Sequence, residues 1–153
     1  MNAVLKAEAV AEGRSGDIVI GADTLVTYGD LVMGKPKDEE EAKNLLRGFS
    51  ANEISVYTGL CVIDTENAVK ASGTEKSSIT VRELKESDVN RYFSLLGPYD
   101  KAGGFSIEGV GALLFDDIKG SYFNILGLSL MALERLLAKT DIDILDLVSR
   151  KRP

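Results

Sequence analysis

The chain contains no histidine and a single cysteine, Cys61. Without histidine, neither a Ser-His-Asp nor a Cys-His arrangement nor a His-ligated metal can be assembled within one chain. A lone cysteine excludes an internal disulfide framework and any zinc site built from several thiolates. No run reaches the ~18 apolar residues of a membrane span. The opening stretch, MNAVLKAEAVAEG, carries Glu8 and Glu12 and lacks the basic-then-apolar layout of a signal peptide. A cytoplasmic protein with no membrane partner is therefore expected. Positive charge is also short: Lys+Arg 18 against Asp+Glu 24 leaves −6. That balance argues against a nucleic-acid polymer as partner, but it is compatible with a locally positive pocket for a phosphorylated small molecule. The remaining chemistry is that of carboxylates, lysines, hydroxyls and cations held by hard oxygen ligands.

What is present is ordinary globular material, 44% hydrophobic and 27% charged over 153 residues. A chain of this length is one domain's worth and buries roughly 70% of its unfolded surface, enough to fold without disulfides or metals. No repeat, low-complexity tract or linker interrupts it, so residues 1–153 are expected to form a single mixed α/β domain. Alanine-rich Asn2 to Glu12 predicts a helix ending at Gly13. Asp17 to Tyr28 opens with Ile18-Val19-Ile20, the pattern of a strand buried on both faces, and Leu31 to Met33 reads as its return across Gly29-Asp30. Asp38 is placed to cap a helix with Ala42, Leu45, Leu46 and Phe49 on one face, stopped by Gly48.

Two longer strands, Ile54 to Ile63 and Ala68 to Val81, follow. Ser87 is expected to cap a helix carrying Val89, Tyr92, Phe93 and Leu96, ended by Gly97-Pro98. Beyond a glycine-rich stretch, Ala112 to Phe115 and Tyr122 to Leu126 read as strands. Ser129 starts a helix with Leu130, Leu133, Leu136 and Leu137, and the tail from Asp141 reads as a turn or two of helix before a basic end.

Asp23 follows an apolar strand and the small pair Gly21-Ala22, which lets a ligand or metal approach the backbone. Position alone fits a functional carboxylate and a cap for nearby amides equally well. Thr24 beside it fits a site or an ordinary strand residue. Lys35, between Gly34 and Pro36, suits a phosphate or a solvated turn, and it is no Walker lysine because the preceding glycine-rich loop is absent. Asp100-Lys101-Ala102-Gly103-Gly104 reads either as an anion nest with a cationic side chain or as a salt-bridged turn. Glu108 adds an acid beside Gly109, and Cys61, inside an apolar strand, reads as packing.

Several of these segments occur together in one order. They are Val19-Ile20-Gly21-Ala22-Asp23-Thr24-Leu25-Val26, then Gly34-Lys35-Pro36-Lys37-Asp38, then Tyr57-Thr58-Gly59-Leu60. Asp100-Lys101-Ala102-Gly103-Gly104-Phe105-Ser106-Ile107-Glu108-Gly109 and Gly120-Ser121-Tyr122-Phe123-Asn124-Ile125-Leu126-Gly127-Leu128 complete the series. From about Val4 to Leu137 the chain resembles the Maf family of nucleoside triphosphate pyrophosphatases, once named for septum formation inhibition. The resemblance implies an α/β fold similar to inosine triphosphate pyrophosphatase, with an elongated mixed sheet flanked by helices, and a homodimer. It implies hydrolysis of a nucleoside triphosphate to the monophosphate and pyrophosphate with Mg²⁺ or Mn²⁺, as housekeeping of nucleotide pools.

By the same resemblance Asp23 is the general base or metal ligand, Lys35 contacts phosphate, and Lys6 is the lysine of the early helix. Lys101 belongs to the Asp-Lys-Ala-Gly loop, while Thr24 and Glu108 occupy specificity positions. The Asp-Lys-Ala-Gly loop points to the dTTP/UTP branch, although that branch usually has glutamine where Glu108 stands. Family members open with a strand and a Ser-Pro-Arg-Arg segment, and this chain starts at the helix after that region. Ser149-Arg150-Lys151-Arg152 is not its equivalent, so losses of stability and catalysis are expected. The rival expectation is a catalytically impaired nucleotide-binding or regulatory protein of the same fold, related to cell division.

Overall fold

A computed structural model describes residues 2–96 and 101–149. Its elements are α1 (Asn2–Ala11), β1 (Ile18–Tyr28), β2 (Leu31–Met33), α2 (Glu39–Phe49), β3 (Glu53–Asp64), β4 (Val69–Val81) and α3 (Glu86–Leu96). Two 3₁₀ turns follow, Ala102–Gly104 and Gly109–Leu114, then β5 (Phe115–Lys119), α4 (Tyr122–Ile125), α5 (Leu130–Ala138) and α6 (Ile144–Ser149). The described strands form one antiparallel sheet in the order β2-β1-β3-β4-β5, flanked by helices, so the expected α/β fold class is present. The chain divides into two compact units. One comprises Met1–Asp23, Thr58–Glu75 and Gly127–Pro153; the other comprises Thr24–Tyr57 and Lys76–Leu126.

In the first unit the strand covered on both faces is β3 rather than β1. Thr58 to Val62 are all buried, whereas Ile18 and Ile20 are 37% and 46% exposed. The pleat explains the difference. Residues 19, 21 and 23 of β1 face α1, where Val19 joins Ala7 and Cys61 in a small cluster. On the other face only Ala22 meets the cluster that Leu60 and Val62 form with Leu133, Leu136 and Leu137 of α5. Ile18 and Ile20 take no part in it. Cys61 is buried packing, as its place in the strand implies.

The second unit holds the larger core, in which Leu46 and Phe49 of α2 meet Val26, Ile54, Val56, Ile79 and Val81. Helix α2 begins as expected, with the Asp38 carboxylate accepting the Glu41 amide at 2.7 Å, but it runs through Gly48 to Phe49. Ser87 lies inside α3 instead of capping it. The helix starts one residue earlier, where Asp88 reaches back to the Lys85 amide at 3.0 Å, half of a capping box. The stop expected at Gly97-Pro98 lies outside the described residues.

Two expected strands are absent. Residues 112–114 belong to the 3₁₀ turn that begins at Gly109, whose φ is +58°, and strand β5 starts only at Phe115. Residues 122–125 form the short helix α4. Gly120 turns the chain at φ +109°, the Ser121 hydroxyl accepts the Asn124 amide, and the buried Asn124 side chain donates to the Val56 carbonyl at 3.1 Å. Polar satisfaction at a buried asparagine outweighs the aromatic β-propensity of Tyr122 and Phe123.

Helix α1 rests on β1 through small residues. A Cβ on Gly21 would lie 2.9 Å from the Ala7 methyl and well inside contact of the Ala3 carbonyl. Gly21→Ala should therefore lower stability by about 1–3 kcal/mol, seen as a Tm several degrees lower. Gly48→Ala, on the open face of α2, should instead raise it slightly. Thermal denaturation of both variants checks the sign; an unchanged Tm in Gly21→Ala would mean that the helix does not press on the strand.

Candidate active site

Asn2 and Lys6 stand four residues apart on α1, one turn of helix, beside the Ala3–Ala7 stripe that contacts Gly21. Both therefore reach the next residue of β1 on the same face, Asp23. The Lys6 ammonium donates to Asp23 Oδ1 at 2.5 Å and the Asn2 amide to Oδ2 at 3.2 Å. Lys6, opposed by burial and helped by Asn2, holds the Asp23 carboxyl below its ordinary value of 3.8. Asp23 is thus an ionised, oriented carboxylate at neutral pH, with its side chain 22% exposed. Thr24, next along the strand and half-buried, falls on the opposite face by the two-residue alternation.

In the second unit two loops are tied together. The Gly103 amide donates to the Gly34 carbonyl at 3.1 Å. Gly103 has φ +75°, and a Cβ there would press on the Phe105 ring at 2.9 Å. Gly104, at φ +71°, lies against Ala42 and Pro36. The glycine pair is therefore required by close packing, and it holds the Lys101 loop beside the Lys35 loop. Lys35 is exposed, and among the described residues no ion pair engages it. Lys101 donates to Glu108 Oε2 at 2.7 Å and to the Ser106 hydroxyl at 3.3 Å. Lys101 holds the Glu108 carboxyl below its ordinary value of 4.5.

The structure thus brings Lys6 to Asp23 within one unit, and Lys35, Lys101 and Glu108 into adjoining loops within the other. Asp100 lies outside the described residues. The sequence reading missed Asn2, whose only signal was its four-residue spacing from Lys6. It also missed Ser106 and Tyr92, which the loop geometry joins to Lys101 and Glu108. Among the described residues no group of three Asp, Glu, Cys or His side chains stands close enough to cage a metal. A cation with one carboxylate ligand and the rest of its shell from phosphate and water fits such a site.

The Asp23 pairing has a signed pH dependence. A carboxyl whose folded value is depressed contributes stability above its ordinary value of 3.8 and loses it as pH falls through the lower folded value. Lys6→Met should move the Asp23 titration upward, toward the ordinary value. Carboxyl NMR titration of both proteins reads this directly, and superimposable curves would show that the pair does not form in solution.

Comparison with known proteins identifies the family. A family model described as Maf-like protein matches residues 1–140. A Bacillus cereus protein (strain ATCC 14579) named dTTP/UTP pyrophosphatase is 41% identical over 142 residues, covering 93% of this chain and 73% of the relative. A protein of the same name from Bacillus cereus strain G9842 matches with the same identity and coverage. Another from Bacillus mycoides strain KBAB4 is 39% identical, again over 93% of this chain and 73% of the relative. The order of motifs, the α/β sheet and a match over nearly the whole chain agree, and the chain belongs to the Maf family.

Proposed function

We propose that the protein is a nucleoside triphosphate pyrophosphatase that hydrolyses dTTP or UTP to the monophosphate and pyrophosphate. The single observation that carries this is the relatives' shared name at about two-fifths identity over nearly the whole chain. The residue types in each unit support it. Attack of water at the α-phosphorus calls for charge neutralisation and orientation more than for covalent help, and lysines with an oriented carboxylate supply both. Lys35 and Lys101 are assigned to the phosphates. Asp23 is assigned to the attacking water, whose proton it accepts or whose lone pair it aims. A depressed carboxyl is a weak proton acceptor, which favours aiming over proton storage.

Asp23 would also hold Mg²⁺ or Mn²⁺, which supplies further neutralisation of phosphate charge when bound. Lys6 would keep Asp23 ionised and in place, a role added to its expected place among the substrate-binding residues. Thr24 and Glu108 are assigned to base selection. We further place the protein in the cytoplasm, where free nucleotides are, and as a homodimer with no polymer or membrane partner. Support for self-association is the exposure of Tyr122, Phe123 and Leu126, each more than 40%. Among the described residues no helix is long and apolar enough to cross a membrane.

A second reading, nucleotide binding without turnover, is favoured by one observation: both Asp23 oxygens already carry a donor. Pyrophosphate release from a panel of triphosphates, with and without Mg²⁺ or Mn²⁺, separates the two. The wild type should turn over dTTP or UTP best. Asp23→Asn keeps the shape and removes the charge, so turnover should fall ~10²-fold or more while nucleotide binding persists. Wild-type rates in Asp23→Asn would remove Asp23 from the mechanism, and a silent wild type that still binds nucleotide would establish the second reading.

A further inference from the structure

Helix α3 carries a hydroxyl with an unusual task. Tyr92 is only 7% exposed, its ring packed in the larger core and edge-on to Phe93 at 5.2 Å between centroids. The Ser106 amide donates to the Tyr92 oxygen at 2.7 Å, and the Tyr92 hydroxyl donates back to the Ser106 carbonyl at 3.4 Å. One side chain thereby satisfies both backbone polar groups of a single loop residue, as a neighbouring strand would. Burial pushes the phenol's pKa up, so it keeps the proton that lets it donate and accept at once.

Ser106 passes this anchoring outward. Its hydroxyl lies 3.3 Å from Lys101 Nζ and 3.4 Å from Glu108 Oε2, and it also accepts the Glu108 amide at 3.3 Å. Lys101 and Glu108 are long, half-exposed side chains with many rotamers, and their mutual contact at 2.7 Å fixes neither to the fold. The short serine is their link to a rigid reference. We propose that Tyr92 is a positioning residue that sets where the Lys101–Glu108 pair stands, acting through Ser106. Its consequence for nucleotide selection rests on the assignment of Glu108 to the base. Tyr92 touches no substrate in this account; it decides how sharply Glu108 discriminates.

Tyr92→Phe keeps the ring and removes only the oxygen. The test compares wild type, Tyr92→Phe, Ser106→Ala and the double variant by thermal denaturation, by NMR titration of the Glu108 carboxyl, and by kcat/KM for dTTP, UTP, CTP and GTP. Among the described residues Lys101 is the charged group facing Glu108, so loosening the loop should raise the Glu108 titration toward its ordinary value of 4.5. The ratio of kcat/KM for the preferred over the other triphosphates should fall about tenfold, the effect of losing one or two hydrogen bonds, with kcat for the preferred substrate falling less. The double variant should lose no more selectivity than the worse single variant, because both act on one chain of contacts.

An unchanged Glu108 titration in Tyr92→Phe and Ser106→Ala overturns the proposal. So does an equal loss on every triphosphate with additive single effects, which marks a purely structural role. If Tyr92→Phe does not fold, Ser106→Ala carries the same readouts. A wild type that hydrolyses no triphosphate sinks the pyrophosphatase reading, and the Glu108 titration then still decides whether Tyr92 positions the pair.

Discussion

The close approach of α1 to β1 is the constraint on which the candidate chemistry depends. Side chains of one methyl or less at Ala3, Ala7 and Gly21 let the helix backbone come down onto the strand. At that distance Asn2 and Lys6 reach Asp23; a bulkier stripe would lift both donors away from it. The resulting ion pair is a poor stabiliser, because the Lys6 side chain is 61% exposed and solvent screens it. Its value lies in orientation. A carboxylate whose two oxygens each accept a donor has a fixed plane and stays charged across the neutral range.

The loops of the second unit show the same division between anchoring and chemistry. Buried contacts are dense and specific: Gly103 against Phe105, Gly104 against Ala42 and Pro36, Tyr92 on the Ser106 backbone. The charged groups they present are exposed, and among the described residues Lys101 and Glu108 pair with each other and with the Ser106 hydroxyl. A solvated ion pair adds little to folding, so an incoming phosphate can displace it at small cost. Rigid backbone and exchangeable charge suit a site that binds and releases a highly charged substrate.

Much of this was legible from residue types alone. The Gly29-Asp30 hairpin, the Asp38 and Ser129 caps and the long β3–β4 pair follow from turn chemistry and periodicity, and all are present. What failed depended on tertiary partners. Ile18 and Ile20 look like core until one sees that α1 covers only the other face of β1. Tyr122 and Phe123 look like a strand until Asn124 is seen to need the Val56 carbonyl. Asp23, Lys35, Lys101 and Glu108 stand out as candidates because each is a charged residue within two positions of a glycine. Ser106 and Tyr92 do not, since a serine in a loop and a tyrosine on a helical face carry no local sign of their bond. Their pairing spans fourteen residues and exists only once α3 is folded.

The proposed function turns on attack of water at the α-phosphorus, which breaks the bond between the α and β phosphates. Hydrolysis of dTTP in ¹⁸O-labelled water, with Mg²⁺ or Mn²⁺ present and products read by mass spectrometry, tests it directly. The expected products are a nucleoside monophosphate carrying one labelled oxygen and an unlabelled pyrophosphate. Label in pyrophosphate, release of inorganic phosphate as the first product, or no turnover of any triphosphate would contradict the proposed function.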